Sequence, residues 1–344
     1  MFRPAHPPTE LPLPLLITGV PGVPGFNALA YFQARYPGQV FGLRQRENVG
    51  FPGRDIIACD AEDRDGLARV FDGCQFAAVL DCAGNCALKP CELNPELAWK
   101  INVAGVENLV SQTAPRGIRL VHLSVDMVFS GNRPEGGYTE EDPTDPVTVY
   151  GKTMVAGEQA VLESDPGACV LRISLPMGRS FNGHAGAIDW ITSRFKKSRP
   201  ATLYFDEIRT PTYTDCMNAV YETMLAGQQA GIYHLGGPRT LSLYQIAQVL
   251  NRVGGYDPDC LFGIPRGEAG PIPPRAGNVS MDSGKLIRTL GYNPLDPWPL
   301  DESLVPTHRD WHRERSPGDR GSPRRLQELL CRNPARSPSA SGTG

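Results

Sequence analysis

The first half of the chain alternates between short apolar runs and stretches whose apolar residues recur at helical spacing. The apolar runs predict buried strands, at residues 15–18, 40–43, 55–60, 76–84, 120–125 and 169–173. The intervening stretches predict helices, among them 64–71, 95–110 and 149–162. Because strands and helices alternate throughout, we expect an α/β fold with a doubly wound parallel sheet.

The alternation becomes less regular after about residue 175, which indicates a smaller C-terminal lobe. Helices are predicted at 188–197 and 242–253, the second with Ser242 as its N-cap. A strand within 231–236 is expected to rejoin the main sheet. The chain then divides, in order, into a mobile arm (1–12), a first domain (13–175), a smaller lobe (176–313) and a disordered tail (314–344).

Three glycines at a spacing of three follow the first predicted strand, and an amphipathic helix comes directly after them. This unit opens a dinucleotide-binding fold of the Rossmann type, in which glycines allow a tight turn and a close approach to the pyrophosphate. Gly19, Gly22 and Gly25 are therefore candidate cofactor residues, and Val23 is a candidate amide donor at the helix N-terminus. The alternative is an ordinary loop rich in Gly and Pro.

The ends of the next strands supply further cofactor candidates. Arg44 follows the second strand, where an arginine can pair with a 2′-phosphate, so we expect NADP(H) to be preferred over NAD(H). The alternative is that Arg44 and Arg46 only solvate a loop. Asp60 and Ala61 end the third strand, where adenine binds in such folds. Small residues after the fourth strand let the ribose approach the backbone, and these are Cys82, Ala83 and Gly84.

Composition narrows the function classes. The chain has 344 residues, 40% of them hydrophobic, and a net charge of −3, which argues against a nucleic-acid surface. No window approaches the roughly 18 apolar residues of a membrane span. The 9 cysteines contain no CxxC pair, which favours reduced thiols in a cytoplasmic protein. Cys82, Cys86 and Cys91 are close in sequence, but no second pair with zinc spacing accompanies them, so no metal is expected.

Several widely spaced segments resemble the dTDP-4-dehydrorhamnose reductase family, a branch of the extended short-chain dehydrogenases/reductases. The glycine spacing matches the GxxGxxG turn of that group, and the resemblance covers roughly residues 13–312. The other matching segments are 122–131 (HLSVDMVFSG, like STDYVFDG), 150–158 (YGKTMVAGE, like YGKTKLxGE), 206–212 (DEIRTPT), 231–235 and 275–286. The same family contains the regulatory β subunit of methionine adenosyltransferase. The resemblance implies an NAD(P)-binding Rossmann domain at 13–175 and a substrate lobe at 176–313.

The resemblance also implies an NADP-dependent reductase of a 4-keto-6-deoxy nucleotide-sugar, and it identifies where this chain departs from the family. In the family a Tyr donates the proton, a Lys four residues later lowers its pKa, and a Thr or Ser polarises the carbonyl. Tyr150 is retained, whereas Met154 replaces the Lys and Val125 replaces the hydroxyl residue. Ser124 is one position earlier, on the opposite face of a strand. Lys152 does not share a helix face with Tyr150.

Two functions therefore remain open: a reductase with weakened or altered catalysis, and a non-catalytic NADP-binding regulatory or scaffold protein. Tyr150 itself is either a hydrogen-bonding site residue or an aromatic at a helix start. Arg209 and Arg275 are expected either to bind the pyrophosphate of a nucleotide-sugar or to form ion pairs between the lobes. Asn182 and Trp190 are further substrate candidates, with packing as the alternative for Trp190. Besides the substrate, we expect a homodimer or a regulated partner enzyme.

Overall fold

The structure is a computed structural model that describes residues 10–315 and 320–331. The strands are β1 (Leu15–Ile17), β2 (Val40–Arg44), β3 (Ile56–Ala58), β4 (Ala78–Asp81), β5 (Arg119–Val125), β6 (Cys169–Ile173), β7 (Pro176–Met177), β8 (Ala201–Tyr204), β9 (Ile208–Arg209), β10 (Thr212–Tyr213), β11 (Gly231–Leu235), β12 (Leu241–Ser242) and β13 (Leu261–Ile264). The α-helices are α1 (Val23–Arg35), α2 (Arg64–Gly73), α3 (Leu88–Leu93), α4 (Pro95–Trp99), α5 (Gly105–Thr113), α6 (Val149–Ser164), α7 (Ala187–Lys196), α8 (Thr214–Ala226), α9 (Leu243–Gly254), α10 (Gly284–Leu290) and α11 (Pro323–Cys331).

Seven strands form the main sheet in the order β11-β6-β5-β4-β1-β2-β3, and every neighbouring pair is parallel. The predicted α/β fold with a doubly wound parallel sheet is therefore confirmed. The chain runs outward from β1 to β3 and then returns to place β4 on the other side of β1. In open sheets of this kind the crevice at such a reversal is where ligands bind.

The strands are apolar on both faces because helices cover both faces. Leu15 and Ile17 of β1 belong to one hydrophobic cluster, and Leu16 between them belongs to another, as the alternation of side chains along a strand requires. The first cluster includes Phe32 of α1 and Tyr221 of α8. The second includes residues of α2, α5 and α6.

The C-terminal lobe contains three two-stranded sheets, β7 with β10, β9 with β12 and β8 with β13. Helix α9 has a complete capping box, in which Ser242 and Gln245 bond each other's backbone amides. Its apolar face belongs to the same cluster as β1, so the core is continuous from the main sheet into the lobe. Strand β11 leaves the lobe and pairs with β6 at the edge of the main sheet.

Two segments differ from the expectations. The helix predicted at 95–110 is interrupted by a π-helical turn, Lys100–Ala104, between α4 and α5. The disordered tail predicted at 314–344 is corrected over residues 320–331, because α11 buries Leu326 and Leu330 in the main cluster. Residues 316–319 and 332–344 lie outside the described residues. Residues 1–9 of the predicted mobile arm also lie outside the described residues. Leu11, in the described part of that arm, is buried.

Candidate functional site

The glycine turn lies between the carboxyl end of β1 and the start of α1. Gly19 has a φ of +60°, and a Cβ atom there would overlap the main-chain carbonyl of Cys82. A Cβ atom on Gly25 would lie 2.5 Å from the carbonyl oxygen of Gly19. Backbone therefore packs directly on backbone at two points of the turn, and only glycine permits this.

The turn keeps free amides at the N-terminus of α1. Val20 and Gly22 donate their amide hydrogens to protein carbonyls, and Pro24 has no amide hydrogen. Within the described part of the chain, the amides of Val23 and Gly25 have no protein acceptor. Free amides at the N-terminus of a helix attract anions such as phosphates.

A buried polar network supports the turn from below. Thr18 Oγ1 donates to Asp81 Oδ1 at 2.5 Å and accepts from the amides of Cys82 and Ala83 at 3.0 and 3.1 Å. His122 Nδ1 lies 2.7 Å from Asp81 Oδ2. The network joins the carboxyl ends of β1 and β4 to the middle of β5, and it holds the backbone that faces Gly19. Sequence reasoning missed these residues, although polar residues that end apolar strands were a visible signal.

Arg44 ends β2 and folds back onto its own loop. Its Nε donates to the Phe51 carbonyl at 3.1 Å, and its Nη1 donates to the carbonyls of Gln45 and Arg46 at 2.9 and 3.2 Å. These acceptors are all neutral. The guanidinium therefore has hydrogen-bond partners but no compensating negative charge among them.

Arg46 has the opposite environment. Its amide and its guanidinium both bond the Asp60 carboxylate, at 2.9 and 3.2 Å, and the guanidinium also pairs with Asp63. Both oxygens of Asp60 are thus engaged by Arg46. Beside them, Ala61 lines a narrow crevice with Thr18, Leu43, Ala83, Ile101 and Gly105.

Tyr150 and Met154 lie one helical turn apart on α6 and belong to one apolar cluster with Met127, Val128 and Phe129. They are only 7% and 5% exposed. Burial raises the pKa of the Tyr150 phenol well above its usual value; the Cys86 and Cys91 thiols and the Asp126 carboxylate add to this effect, while the Arg209 charge opposes it. The phenol is therefore neutral at physiological pH and holds its proton tightly.

Ser124, a doubtful catalytic candidate because it lies on the opposite face of the strand, is engaged in a buried hydrogen bond. Its hydroxyl is fully buried and donates to Glu158 at 2.5 Å. Glu158 is in turn held by Arg172 at 2.8 and 2.7 Å. Val125, the next residue, is partly buried and packs against the apolar cluster of Tyr150. Lys152 is exposed, on a different face of α6 from Tyr150.

Arg209, a candidate for the substrate pyrophosphate, is neutralised by carboxylates. It is 6% exposed, and it donates to Asp126 at 2.6 Å and to Glu207 at 3.1 Å. Burial disfavours its charge, but the two carboxylates outweigh burial and raise the pKa of Arg209 above its usual value. Arg275 approaches the other oxygen of Glu207 at 3.7 Å and stacks on the Tyr204 ring. The ion-pair alternative thus describes Arg209, and the structure brings both arginines together at Glu207.

Asn182 and Trp190 belong to a different region, the segment that follows β7. Asn182 is exposed and accepts the His184 amide in a local turn, at 3.0 Å. Trp190 is 49% exposed, with Arg194 over its ring. No hydrogen bond or ion pair within residues 10–315 and 320–331 joins either residue to the cluster at Glu207. Of the four substrate candidates, Arg209 and Arg275 share the Glu207 carboxylate, and neither Asn182 nor Trp190 is bonded to it.

Comparison with known proteins assigns the family. A model of the RmlD substrate binding domain family matches residues 14–302. The chain belongs to this family. A dTDP-4-dehydrorhamnose reductase of Mycolicibacterium smegmatis is 30% identical over 271 residues, which cover 76% of this chain and 80% of that protein. A methionine adenosyltransferase 2 subunit beta of Rattus norvegicus is 28% identical over 308 residues, covering 85% and 87% of the two chains.

Solved structures show the same fold for this RmlD-family chain. A dTDP-4-dehydrorhamnose reductase from Bacillus anthracis, in complex with NADP, superposes with a TM-score of 0.70 at 21% identity. The match covers 83% of this chain and 95% of that one. A UDP-glucose 4-epimerase from Thermus thermophilus, in complex with NAD, gives a TM-score of 0.71 at 22% identity, covering 88% and 99%.

Among the described residues of this RmlD-family chain, no group of three or more His, Cys, Asp or Glu side chains has an arrangement that could hold a metal ion. Burial raises the pKa values of the Cys82 and Cys91 thiols, so these side chains are protonated at neutral pH, and Cys86 is exposed. Across the same ranges, no helix has the length and apolar character that crossing a bilayer requires.

Proposed function

We propose that the chain binds NADP(H) at the glycine turn and reduces a 4-keto-6-deoxy nucleotide-sugar slowly. The observation that carries this proposal is the pair of free amides, Val23 and Gly25, at the start of α1. The glycine backbone beside them has no side chain to obstruct a pyrophosphate. The residues present therefore fit a dinucleotide, in the crevice where doubly wound folds bind one.

The preference for NADP(H) rests on Arg44. A guanidinium that is bonded only to neutral carbonyls exchanges them readily for a phosphate, because charged acceptors form stronger hydrogen bonds. Arg46 is already paired with Asp60 and Asp63. Its positive charge is therefore largely compensated, and it attracts a 2′-phosphate much less strongly. The reductase relative from Bacillus anthracis was solved with NADP.

The residues around the reacting carbon account for slow turnover. A bound nicotinamide supplies the hydride, and the protein must supply a proton for the new alkoxide. Tyr150 holds that proton at its Oη, but burial raises its pKa and Met154 offers no positive charge to lower it. Val125 offers no hydroxyl to the carbonyl. Losing stabilisation of this kind reduces rates by factors on the order of 100 or more.

A second function is favoured by the apolar cluster around Tyr150. With Met154 and Val125 in that cluster and Arg209 neutralised, the cleft has kept a cofactor site but few reacting groups. Under this candidate the chain is an NADP-binding regulatory subunit of a partner enzyme. The methionine adenosyltransferase β subunit is a relative of comparable coverage.

The two candidates are separated by measuring NADPH binding and NADPH oxidation on the same preparation. A reductase oxidises NADPH, seen as loss of absorbance at about 340 nm, when a panel of nucleotide-linked 4-keto-6-deoxy sugars is supplied. Binding of NADPH without oxidation by any sugar would favour the regulatory candidate. Absence of NADPH binding would contradict both.

A further inference from the structure

The loop between β2 and β3, residues 45–55, contacts both halves of the molecule. At its inner end, Arg44 Nε donates to the Phe51 carbonyl at 3.1 Å. The Phe51 ring packs edge-to-face on the Phe181 ring, which belongs to the C-terminal lobe, with centroids 4.6 Å apart and planes at 79°. A single residue, Phe51, therefore connects the candidate 2′-phosphate ligand to the substrate lobe.

Phe181 belongs to a segment, residues 178–186, that lies across the glycine turn. The Phe181 amide donates to the Pro21 carbonyl at 3.1 Å. Asn27 Nδ2, on α1, donates to the Arg179 carbonyl at 2.9 Å. The segment thus covers the turn where the pyrophosphate would bind, and the same segment contains the substrate candidate Asn182.

The loop has space in which to move. An open groove of about 440 Å³ runs beside it, between α1 and residues 51–56. Gly50 and Gly53 flank the Phe51–Pro52 pair, and glycine accommodates large changes of backbone dihedral angles. A displacement of Phe51 into the groove would meet little packed protein.

Arg44 cannot keep its present partners and also hold a phosphate with two hydrogen bonds. Of its nitrogens, Nη2 has no protein acceptor in the described ranges, whereas Nε and Nη1 donate to carbonyls. A phosphate bound side-on engages Nε together with Nη2. Because Nε holds Phe51, such a phosphate takes the place of the Phe51 carbonyl.

We propose that the 45–55 loop couples a 2′-phosphate at Arg44 to the position of segment 178–186. The proposal rests on the proposed cofactor site. A nucleotide with a 2′-phosphate releases Phe51 from Arg44, weakens its ring contact with Phe181, and loosens the segment over the glycine turn. A nucleotide without the 2′-phosphate leaves the Arg44–Phe51 contact in place. The two nucleotides therefore leave segment 178–186, over the glycine turn, in different states.

The experiment compares two probes that differ by one phosphate, adenosine 2′,5′-bisphosphate and AMP, each at saturation of the full chain as established by calorimetry. Hydrogen exchange is then measured on peptides that cover 45–55 and 178–186, with α9 as an internal reference. We expect exchange in both segments to be roughly twofold faster or more with the bisphosphate than with AMP. Exchange in α9 should be equal in the two complexes.

Variants distinguish coupling from local effects. Phe51→Ala keeps the carbonyl that Arg44 contacts but removes the ring. The bisphosphate should therefore still bind, while hydrogen exchange at 178–186 should become equal in the two nucleotide complexes. Phe262→Ala is the matched control, an exposed phenylalanine on β13. Equal exchange at 178–186 in the two saturated complexes would overturn the coupling and leave cofactor binding intact. If neither nucleotide bound, the proposed cofactor site would fall together with the coupling.

Discussion

Tyr150 shares its apolar surroundings with Met154, an uncharged residue one helical turn away on α6. We predict that Val125→Thr and Met154→Lys together raise the rate of NADPH oxidation by roughly 100-fold, because an ammonium one turn away lowers the Tyr150 pKa. The measurement is steady-state oxidation with the best 4-keto sugar. Because position 154 is buried, the lysine should also lower the melting temperature.

The control for this gain is Tyr150→Phe in the doubly substituted chain, which removes the phenol and leaves the new lysine. If the gain survived in that triple variant, Tyr150 would not be the proton donor. If the double variant were folded and no faster than the original chain, the substrate groups would have diverged as well.

A second prediction concerns cofactor choice. Arg44→Ala should weaken NADPH binding by about 10- to 100-fold, because charge-assisted hydrogen bonds contribute about 1.5–3 kcal/mol. NADH binding should change little, since it has no 2′-phosphate. The measurement is titration of each cofactor by calorimetry. Arg46→Ala is the matched control, because that guanidinium is already paired with carboxylates, and unchanged NADPH binding in Arg44→Ala would remove Arg44 from the site.

The sequence indicates which residues could carry a functional or structural role, but not which residues they bond to. The sequence predicts that Arg209 binds a pyrophosphate or forms an ion pair, but it does not indicate the partner, Asp126, which lies 83 positions away. Ser124 could be excluded from the Tyr150 face by strand alternation alone. Its bond to Glu158 could not be anticipated, because it depends on how α6 packs against β5.

Helix α11 shows at the level of elements why composition misleads. Residues 314–344 are rich in Arg, Ser, Pro and Gly, a composition typical of disorder. Within them, however, Leu326 and Leu330 are four residues apart and both are buried against the main cluster. A pair of leucines on one face was a weaker signal than the composition around it.

The third prediction concerns the packing of α11. Leu326→Ala should lower the stability of α11 by about 2–4 kcal/mol, the usual effect of removing a buried leucine side chain. We expect trypsin to cleave after Arg324 and Arg325 at least tenfold faster (~10-fold per 1.4 kcal/mol) than in the original chain. Leu329→Ala, at a partly buried position, should have a smaller effect. Unchanged cleavage in Leu326→Ala would show that the packing contributes nothing.

For the whole molecule, the fold was the most predictable property and was confirmed. Parallel buried strands require helices on both faces, and the periodicities of both elements are local in sequence. The arrangement of the substrate candidates was not predictable in the same way. Arg209 and Arg275 meet at Glu207, whereas Asn182 lies in segment 178–186 and Trp190 on α7. These placements depend on the tertiary positions of loops, which no periodicity encodes.

A buried histidine gives the whole molecule a specific dependence on pH. His234, on β11, is completely buried and its Nε2 lies 3.4 Å from Arg172, while its Nδ1 faces the Tyr138 carbonyl. Burial and the Arg172 charge lower the pKa of His234 to about 4. Below about pH 6.5 the unfolded chain binds a proton here that the folded chain does not bind until about pH 4. Stability therefore decreases as the pH falls through this interval.

The fourth prediction follows from this difference in proton binding. Between pH 7 and pH 5 the original chain should lose about 2 kcal/mol more unfolding free energy than His234→Asn. The measurement is urea unfolding at both pH values. His308→Asn, at an exposed position, serves as the control and should behave like the original chain. An equal loss in the original chain and His234→Asn would contradict the assignment.

The glycine turn also limits how this sequence can evolve. A side chain at Gly19 or Gly25 would meet main-chain atoms, of Cys82 and of Gly19 respectively, rather than other side chains. Main-chain atoms are present whatever residue occupies their position, so no substitution elsewhere can make room. At Gly22 the nearest atom to an added Cβ is 3.3 Å away, and a small shift can relieve that contact. Within the protein itself, the loss of Gly19 or Gly25 therefore cannot be compensated by trimming a neighbouring side chain, whereas an alanine at Gly22 would require only a small shift of the turn.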